Sequence, residues 1–213
     1  ITAASSDVLE SLIKSEKTLT DYSFYVIQGE SAFNVVGGMA NPTGEMITPN
    51  HLFRIASVTK TFTAATVLRL IEENALQLTD TIDSLISDEF KALLESDSYP
   101  IDTITVKHLL SHTAGLFDHA QSQAFLDALL ASPTQNKDMA FHINGLINWG
   151  EPIAKPDERF FYSDTGYILL GHIIERITQK PLPQAVREYL NFHQNKIYQV
   201  VWERDDSVTP PEG

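Results

Sequence analysis

Residues 53–70 constrain the fold of this chain more than any other segment. The first of them favour a short strand that runs into a turn, and the later ones favour a helix. Apolar residues occupy more than one face of that helix: Val58, Phe62 and Ala65 form one stripe, and Ala64, Val67, Leu68 and Ile71 form another. A helix that is apolar on several faces is usually buried. Four threonines lie among its first ten residues, and β-branched residues are weak helix formers, so we expect packing to hold it.

The composition narrows the classes of function. The chain has 213 residues and is 43% hydrophobic, which predicts a globular protein of one or two domains. A formal net charge of -13 without a basic cluster argues against a nucleic-acid partner. The absence of cysteine excludes disulfides, thiolate catalysis and cysteine-type metal sites. No apolar run approaches the about 18 residues that cross a bilayer.

The pattern along the chain predicts a β-hairpin, the apolar helix and then a helical block. An N-terminal helix with a cap region at residues 5–7 precedes the hairpin strands at 22–27 and 32–36. Between residues 76 and 190 we find almost no strand signal. Short helices are predicted there at 81–86, 106–111, 121–131, 142–149, 164–178 and 184–190, with Thr105 as the cap of the second. A last strand is predicted at 197–202.

Ser57 and Lys60 stand at the start of the apolar helix, three residues apart, and therefore share one helix face. A serine becomes a good nucleophile only when a base takes its proton, and a lysine in a dry site can serve. The free N–H groups and the positive dipole of a helix start would favour an oxyanion beside Ser57. The plain alternative is a helix start with a solvated lysine.

A second cluster, Tyr162-Ser163-Asp164, directly precedes the strongest predicted helix, 164–178. A nearby ammonium such as that of Lys60 would favour the phenolate form of Tyr162 and make it a base. The plain alternatives are that Asp164 caps the helix and that Ser163 is a turn residue. A third stretch, residues 106–116, contains His108 and His112 four positions apart. No glutamate follows His108, so we expect structural histidines rather than a metal site.

Three motifs together resemble one known family. They are Ser57-Val58-Thr59-Lys60, then His-Leu-Leu-Ser-His-Thr-Ala-Gly-Leu at 108–116, then Tyr-Ser-Asp-Thr-Gly-Tyr at 162–167. The chain resembles the serine β-lactamase and penicillin-binding-protein superfamily, in the branch of class C β-lactamases, D-Ala-D-Ala carboxypeptidases, esterases and D-amino-acid peptidases. The resemblance covers residues 22–190, and the chain resembles the N-terminal portion of such proteins.

The resemblance implies a fold and a chemistry. The fold is α+β, an antiparallel sheet flanked by helices plus an all-helical lobe, here incomplete at the C-terminal side of the sheet. We expect residues 1–75 in the sheet domain, 76–190 in the helical lobe and 191–213 returning toward the sheet. Ser57 would form an acyl-enzyme, Lys60 would accept the proton or hold the phenolate of Tyr162, and Tyr162 would be the base. The implied reaction needs no metal or organic cofactor.

Two departures from the family pattern bear on the substrate. The third residue of the Tyr-x-Asn motif is Asp164, and an ionised carboxylate accepts hydrogen bonds but cannot donate them to a substrate carbonyl. The late Lys-Thr-Gly or His-x-Gly motif is absent from the sequence. The Asp164 carboxylate could also pair with Lys60. We therefore expect Asp164 to contribute to the substrate-binding site of an esterase or peptidase rather than of a β-lactamase.

The sequence thus predicts an acylating serine hydrolase for a β-lactam, a D-Ala peptide or a small ester. The alternatives are a catalytically weak penicillin-binding or sensor protein and an inactive fragment of such a hydrolase. The resemblance implies a periplasmic or secreted bacterial location, although no signal peptide is recognisable in the sequence. The resemblance also implies that the binding partner is a small-molecule or peptide substrate.

We predict that this chain forms a homodimer or takes up a companion chain that supplies further sheet strands. A two- or three-stranded sheet is thin cover for so apolar a helix, and an open sheet edge seeks another strand. Light scattering of the purified chain measures this directly, and a clean monomer would count against it.

Overall fold

The computed structural model describes residues 3–16, 20–135 and 137–202. These residues form a two-stranded antiparallel sheet and a set of helices, which confirms the predicted α+β class. The chain divides into two compact units, residues 1–54 with 199–213 and residues 55–198. In the described part of the chain, no helix is both long enough and apolar enough to cross a membrane.

The first unit contains one helix and one hairpin. Helix α1 is Ala3–Ser15, strand β1 is Tyr22–Gln28 and strand β2 is Ser31–Gly37. The strands pair from Tyr22 opposite Gly37 to Gln28 opposite Ser31, which leaves a two-residue turn that starts with Gly29 at φ +59°. Helix α1 packs against β2. The hairpin was predicted correctly, whereas the predicted cap region at residues 5–7 lies inside α1.

The second unit is helical and is built around its longest helix. Its members are α2 (Thr59–Glu72), α3 (Asp88–Ser96), α4 (Val106–Leu110), α5 (Gln123–Ala131), α6 (Met139–Trp149), α7 (Asp164–Thr178) and α8 (Leu182–Tyr189). Helix α7 packs on α2, α4, α6 and α8. Its buried residues repeat every three to four positions and form the centre of the core: Thr165, Gly166, Leu169, Leu170, Gly171, Ile173 and Ile174.

Helix α2 is only partly covered, so the expectation of burial on every face was wrong. Val67 and Leu70 are fully buried because α7 and α8 pack against that side. Val58, in contrast, is 58% exposed and Leu68 is also exposed. Packing on one face holds the helix in place despite its weak helix formers.

Several predicted elements of this unit agree with the structure. Helix α7 has the predicted bounds, and Thr105 caps α4 by accepting from the His108 backbone N–H. Helix α3 was missed, although Ser87 caps it.

The strand predicted at residues 197–202 is wrong, since these residues adopt no regular structure.

Backbone pairing joins the loop after α4 to the segment before α7. The carbonyl of His112 accepts from the Phe161 N–H at 2.8 Å, and the carbonyl of Gly115 accepts from Ile153 at 2.9 Å. Gly115 has φ +73°, and an added Cβ there would overlap the carbonyl of Ala154. The second and third sequence motifs are therefore fastened to each other just ahead of α7.

We predict opposite effects on stability for alanine at two glycines of this region. Gly115→Ala should destabilise the protein by at least about 2 kcal/mol, because a Cβ in the left-handed region is strained and clashes with Ala154. Gly166→Ala should stabilise it by about 0.5–1 kcal/mol, since an alanine is favoured inside a helix and its Cβ would lie 3.7 Å from the nearest atom. Urea denaturation followed by far-UV circular dichroism measures both changes. Equal effects of the two substitutions would contradict the argument.

Candidate active site

Ser57 lies in a 3₁₀ turn, Ala56–Val58, that leads directly into α2. The residue before it, Ala56, has φ 43°, a left-handed conformation that is uncommon for an alanine. This backbone bend presents Ser57 at the surface, where its side chain is exposed. Strained backbone of this kind is often found at functional sites.

Three side chains that are distant in sequence meet at Ser57. Its Oγ lies 2.7 Å from Oη of Tyr162, and Lys60 Nζ donates to the same Oγ at 3.3 Å. The Tyr162 hydroxyl in turn donates to Oδ1 of Asp164 at 3.2 Å. Lys60 Nζ also lies 5.0 Å from the centre of the Tyr162 ring and 5.6 Å from that of Tyr167. The hydroxyl, the amine, the phenol and the carboxylate thus form one connected network.

Lys60 forms an ion pair with Asp164 through a close contact between Nζ and Oδ1. The lysine side chain is 17% exposed and the aspartate side chain 32%. Burial opposes the charge of Lys60, but the hydrogen-bond and charge interactions with Asp164 and Tyr162 together outweigh burial, so the pKa of Lys60 is raised. The raised pKa favours the ammonium form of Lys60 in this arrangement.

The ring of His112 supports Tyr162. The two rings stack with centroids 4.5 Å apart and an angle of 27° between their planes. His112 Nδ1 accepts the backbone N–H of Ser163 at 3.2 Å, so Nδ1 carries no proton. Burial, and next the charge of Lys60, lower the pKa of His112. A neutral imidazole therefore holds the phenol in place.

Asp118 is a site residue that the sequence analysis missed. Asp118 is 2% exposed, and its Oδ1 accepts the backbone N–H of Asp164, the first residue of α7, at 3.1 Å. Oδ2 accepts from the Gln121 side chain at 3.0 Å. A carboxylate at a helix N-terminus is stabilised by the helix dipole. The signal that could have found Asp118 is its position in the sequence, two residues after the 108–116 motif.

A buried chain of hydrogen bonds runs behind the start of α7. Thr165 Oγ1 lies 2.7 Å from Nδ1 of His119, and Nε2 of His119 lies 2.8 Å from Nδ1 of His142. His119 is 1% exposed, and burial lowers its pKa, with smaller opposed contributions from the charges of Asp164 and Lys60. These histidines were not singled out in the sequence because no motif contains them.

The structure brings the predicted residues Ser57, Lys60, Tyr162 and Asp164 together, although their roles remain predictions. Asp164 is not a helix cap. Ser163 holds the cap position, and the Asp164 side chain turns toward Lys60 instead. Ser163 is buried and its hydroxyl donates to the carbonyl of Phe117, so it is more than a turn residue.

The two histidines of the 108–116 motif have local structural contacts. His108 Nδ1 accepts the backbone N–H of Thr105 and completes the cap of α4, and His112 packs on Tyr162. Within the described ranges, no group of three or more His, Cys, Asp or Glu side chains is arranged to hold a metal ion. Trp149, the last residue of α6, packs its ring edge-on against that of Phe141.

A comparison with known protein families shows the family of this chain. The Beta-lactamase family model matches residues 8–190, and the chain belongs to that family. Among curated proteins, it is 28% identical over 154 residues to penicillin-binding protein 4 of Amycolatopsis lactamdurans, a match that covers 72% of this chain and 37% of that protein. The chain spans 25–37% of the length of the curated relatives that head the comparison.

Solved structures show the same relationship. The octameric penicillin-binding protein homologue from Pyrococcus abyssi superposes with a TM-score of 0.68 at 26% identity, over 88% of this chain and 42% of that one. The D-amino acid amidase from Ochrobactrum anthropi superposes with a TM-score of 0.63 at 25% identity, over 79% of this chain and 42% of that one. The predicted superfamily and the partial coverage of it are confirmed.

We predict that stability falls as the pH is lowered through the range in which free histidine gains a proton. His112 and His119 have lowered pKa values when folded, so below about pH 6.5 the unfolded chain binds protons that the folded chain does not. Their contribution is present above that pH and is lost on further acidification. Urea denaturation between pH 7.5 and pH 5 measures the slope.

The matched variants are His119→Gln and His193→Gln. The first should flatten the slope because the buried imidazole is gone, whatever its effect on absolute stability. The second removes an exposed imidazole of the same unit and should leave the slope as it is. A slope that is identical in the wild type and in His119→Gln would rule out this role of His119.

Proposed function

We propose that this chain is an acylating serine hydrolase that acts on an amide or ester carbonyl. The observation that supports this most strongly is the position of Ser57 Oγ, 2.7 Å from the Tyr162 hydroxyl and 3.3 Å from Lys60 Nζ. A serine within hydrogen-bond reach of a base that is itself oriented by a third group is the arrangement of nucleophilic catalysis. Membership of the Beta-lactamase family supports the same chemistry.

In the proposed reaction, Ser57 attacks the carbonyl carbon while its proton leaves by way of the Tyr162 hydroxyl, 2.7 Å away. The backbone N–H of Ser57, in the 3₁₀ turn just ahead of α2, contributes to the oxyanion site, where the helix dipole favours negative charge. Lys60 stays protonated and stabilises the negative charge that develops on the neighbouring oxygens. Tyr162 then delivers a proton to the leaving amine or alcohol, and water releases the acyl group from Ser57.

The substrate class follows from the polar groups around Ser57. Oδ1 of Asp164 already accepts from Lys60 and Tyr162, and a carboxylate has no N–H to offer a substrate carbonyl. We therefore favour a small ester or a peptide over a β-lactam. The similarity to the D-amino acid amidase from Ochrobactrum anthropi supports amide substrates with a D-amino acid residue.

A second candidate function is penicillin binding without efficient turnover. The similarity to penicillin-binding protein 4 of Amycolatopsis lactamdurans favours it. In that case Ser57 would be acylated by a penicillin, and the acyl-enzyme would persist. For either function we propose an extracytoplasmic location, as penicillin-binding relatives suggest.

We predict that a fluorophosphonate probe and a fluorescent penicillin each attach to Ser57 of the wild-type chain. Ser57→Ala should remove the label. Lys60→Ala should slow acylation by about 100-fold or more, because the charge that stabilises the developing anion is lost. Gel fluorescence and mass spectrometry of the peptide that contains Ser57 measure labelling and its position.

Lys91→Ala is the matched control, since Lys91 also pairs with the first residue of a helix, Asp88, but lies on α3 outside the site. Its labelling should equal that of the wild type. A penicilloyl adduct that persists would favour penicillin binding, whereas an adduct that is lost with turnover would favour the hydrolase. Absence of any adduct on Ser57 would overturn both.

A further inference from the structure

The carboxylate of Asp164 fixes the direction of the hydrogen bonds that reach Ser57. An ionised carboxylate only accepts, so the 3.2 Å contact must be donated by the Tyr162 hydroxyl. A phenol has a single proton, so toward Ser57 the same oxygen is an acceptor. The serine hydroxyl therefore donates to Tyr162 across 2.7 Å. An asparagine at position 164 would leave this direction open, because its amide both donates and accepts.

Lys60 cannot take the proton of Ser57 in this arrangement. Its Nζ donates to Asp164 and to Ser57 at the same time, and it lies over the rings of Tyr162 and Tyr167. An ammonium with all its neighbours acting as acceptors or π-faces is held in its charged form. The proton that leaves Ser57 must therefore travel along the one path in which each group donates to the next, through Tyr162.

We propose that Asp164 is the terminal proton acceptor of a Ser57–Tyr162–Asp164 relay. This proposal rests on the proposed function and specifies how its first step is driven. As the bond between Ser57 Oγ and the carbonyl carbon forms, the carbonyl π electrons move to its oxygen. The serine proton passes to Tyr162 Oη, and the phenolic proton passes to Asp164 Oδ1. The state reached has a neutral tyrosine, a protonated Asp164 and an oxyanion.

The second half of the step reverses the relay. As the tetrahedral oxyanion collapses, the bond from the carbonyl carbon to the leaving nitrogen or oxygen breaks. Tyr162 donates its proton to that atom, and the proton on Asp164 returns to Tyr162. Atoms and charges balance: the serine ester and the protonated leaving group are formed, and Asp164 is again ionised. No free phenolate and no neutral lysine is required at any point.

Two features of the structure support Asp164 in this role. Its backbone N–H is fixed by the buried carboxylate of Asp118, so the side chain is aimed by a rigid helix start rather than by a loop. The second feature is the ion pair with Lys60. Once Asp164 is protonated it no longer carries the negative charge of that pair, and the positive charge of Lys60 is then available to stabilise the oxyanion. Among the described residues, the titratable or charged groups that interact with Asp164 are Lys60 of α2, His112 after α4, Asp118, His119 of the 3₁₀ turn His119–Gln121, and Tyr162.

The test is the pH dependence of acylation by p-nitrophenyl acetate in the wild type and in Asp164→Asn, from pH 5 to pH 10. Carboxyl groups ordinarily titrate near about 4, and phenols and amines near about 10. A carboxylate acceptor keeps the wild-type burst rate nearly constant from neutral to weakly acidic pH. In Asp164→Asn the rate at pH 6 should drop by about 100-fold and then rise with pH, so that the deficit shrinks toward pH 10.

The matched control is Asp88→Asn, which also removes a helix-initial carboxylate paired with a lysine and should change neither the rate nor the profile. An Asp164→Asn profile with the wild-type shape, whether lowered uniformly or unchanged, overturns the relay. Fluorophosphonate labelling of wild-type Ser57 is read in parallel: its absence defeats the proposed function itself, whereas labelling with an unchanged profile defeats only the relay.

A second measurement needs no variant and covers the case in which Asp164→Asn does not fold. The wild-type burst rate is measured in mixtures of H₂O and D₂O at a pH on the plateau. Transfer of two protons in one step gives a curved dependence on the deuterium fraction, and this is the expected result. A straight line indicates a single transferred proton and overturns the relay.

Discussion

The contact between Lys60 and Asp164 is the interaction on which the site depends. It joins the start of α2 to the start of α7, two helices that are about a hundred residues apart in sequence. Partly exposed ion pairs add only about 0–1 kcal/mol to stability, so the pair matters for chemistry more than for folding. It keeps the ammonium charged and leaves the carboxylate as an acceptor for Tyr162. Ser57 then meets a phenol whose hydrogen bonds have one direction.

The start of α7 is the structural basis of this arrangement. Its N-terminal N–H groups and dipole favour negative charge, and two carboxylates lie there, since Asp118 accepts the backbone N–H of the residue whose side chain faces Lys60. Helix α7 is also the best-buried helix of its unit. A site that is built on a packed helix start, with a neutral imidazole stacked on the phenol, has little freedom to rearrange.

Sequence patterns predicted the elements better than they predicted their surroundings. The hairpin, the bounds of α7 and the cap of α4 followed from local rules, because turn residues, capping residues and helical periodicity act over a few positions. The complete burial expected for α2 and the strand expected at 197–202 were wrong. Both depend on which neighbours cover an apolar stretch, and apolar residues alone do not say which neighbours those are. Asp118 was missed because its role also depends on a distant contact: the backbone N–H that it accepts lies 46 residues away in the sequence.

By itself, the sequence determined the residue types of the site, the spacing of Ser57 and Lys60 on one helix start, and the family to which the chain belongs. The tertiary structure decided how these groups are connected. Only the packing of α7 against α2, and the backbone pairing of the loop after α4 with the segment before α7, bring Tyr162 and Asp164 to Ser57. Hydrogen bonds require contact within about 3 Å and a defined direction. Such geometry arises from long-range packing, which no local pattern in the chain encodes.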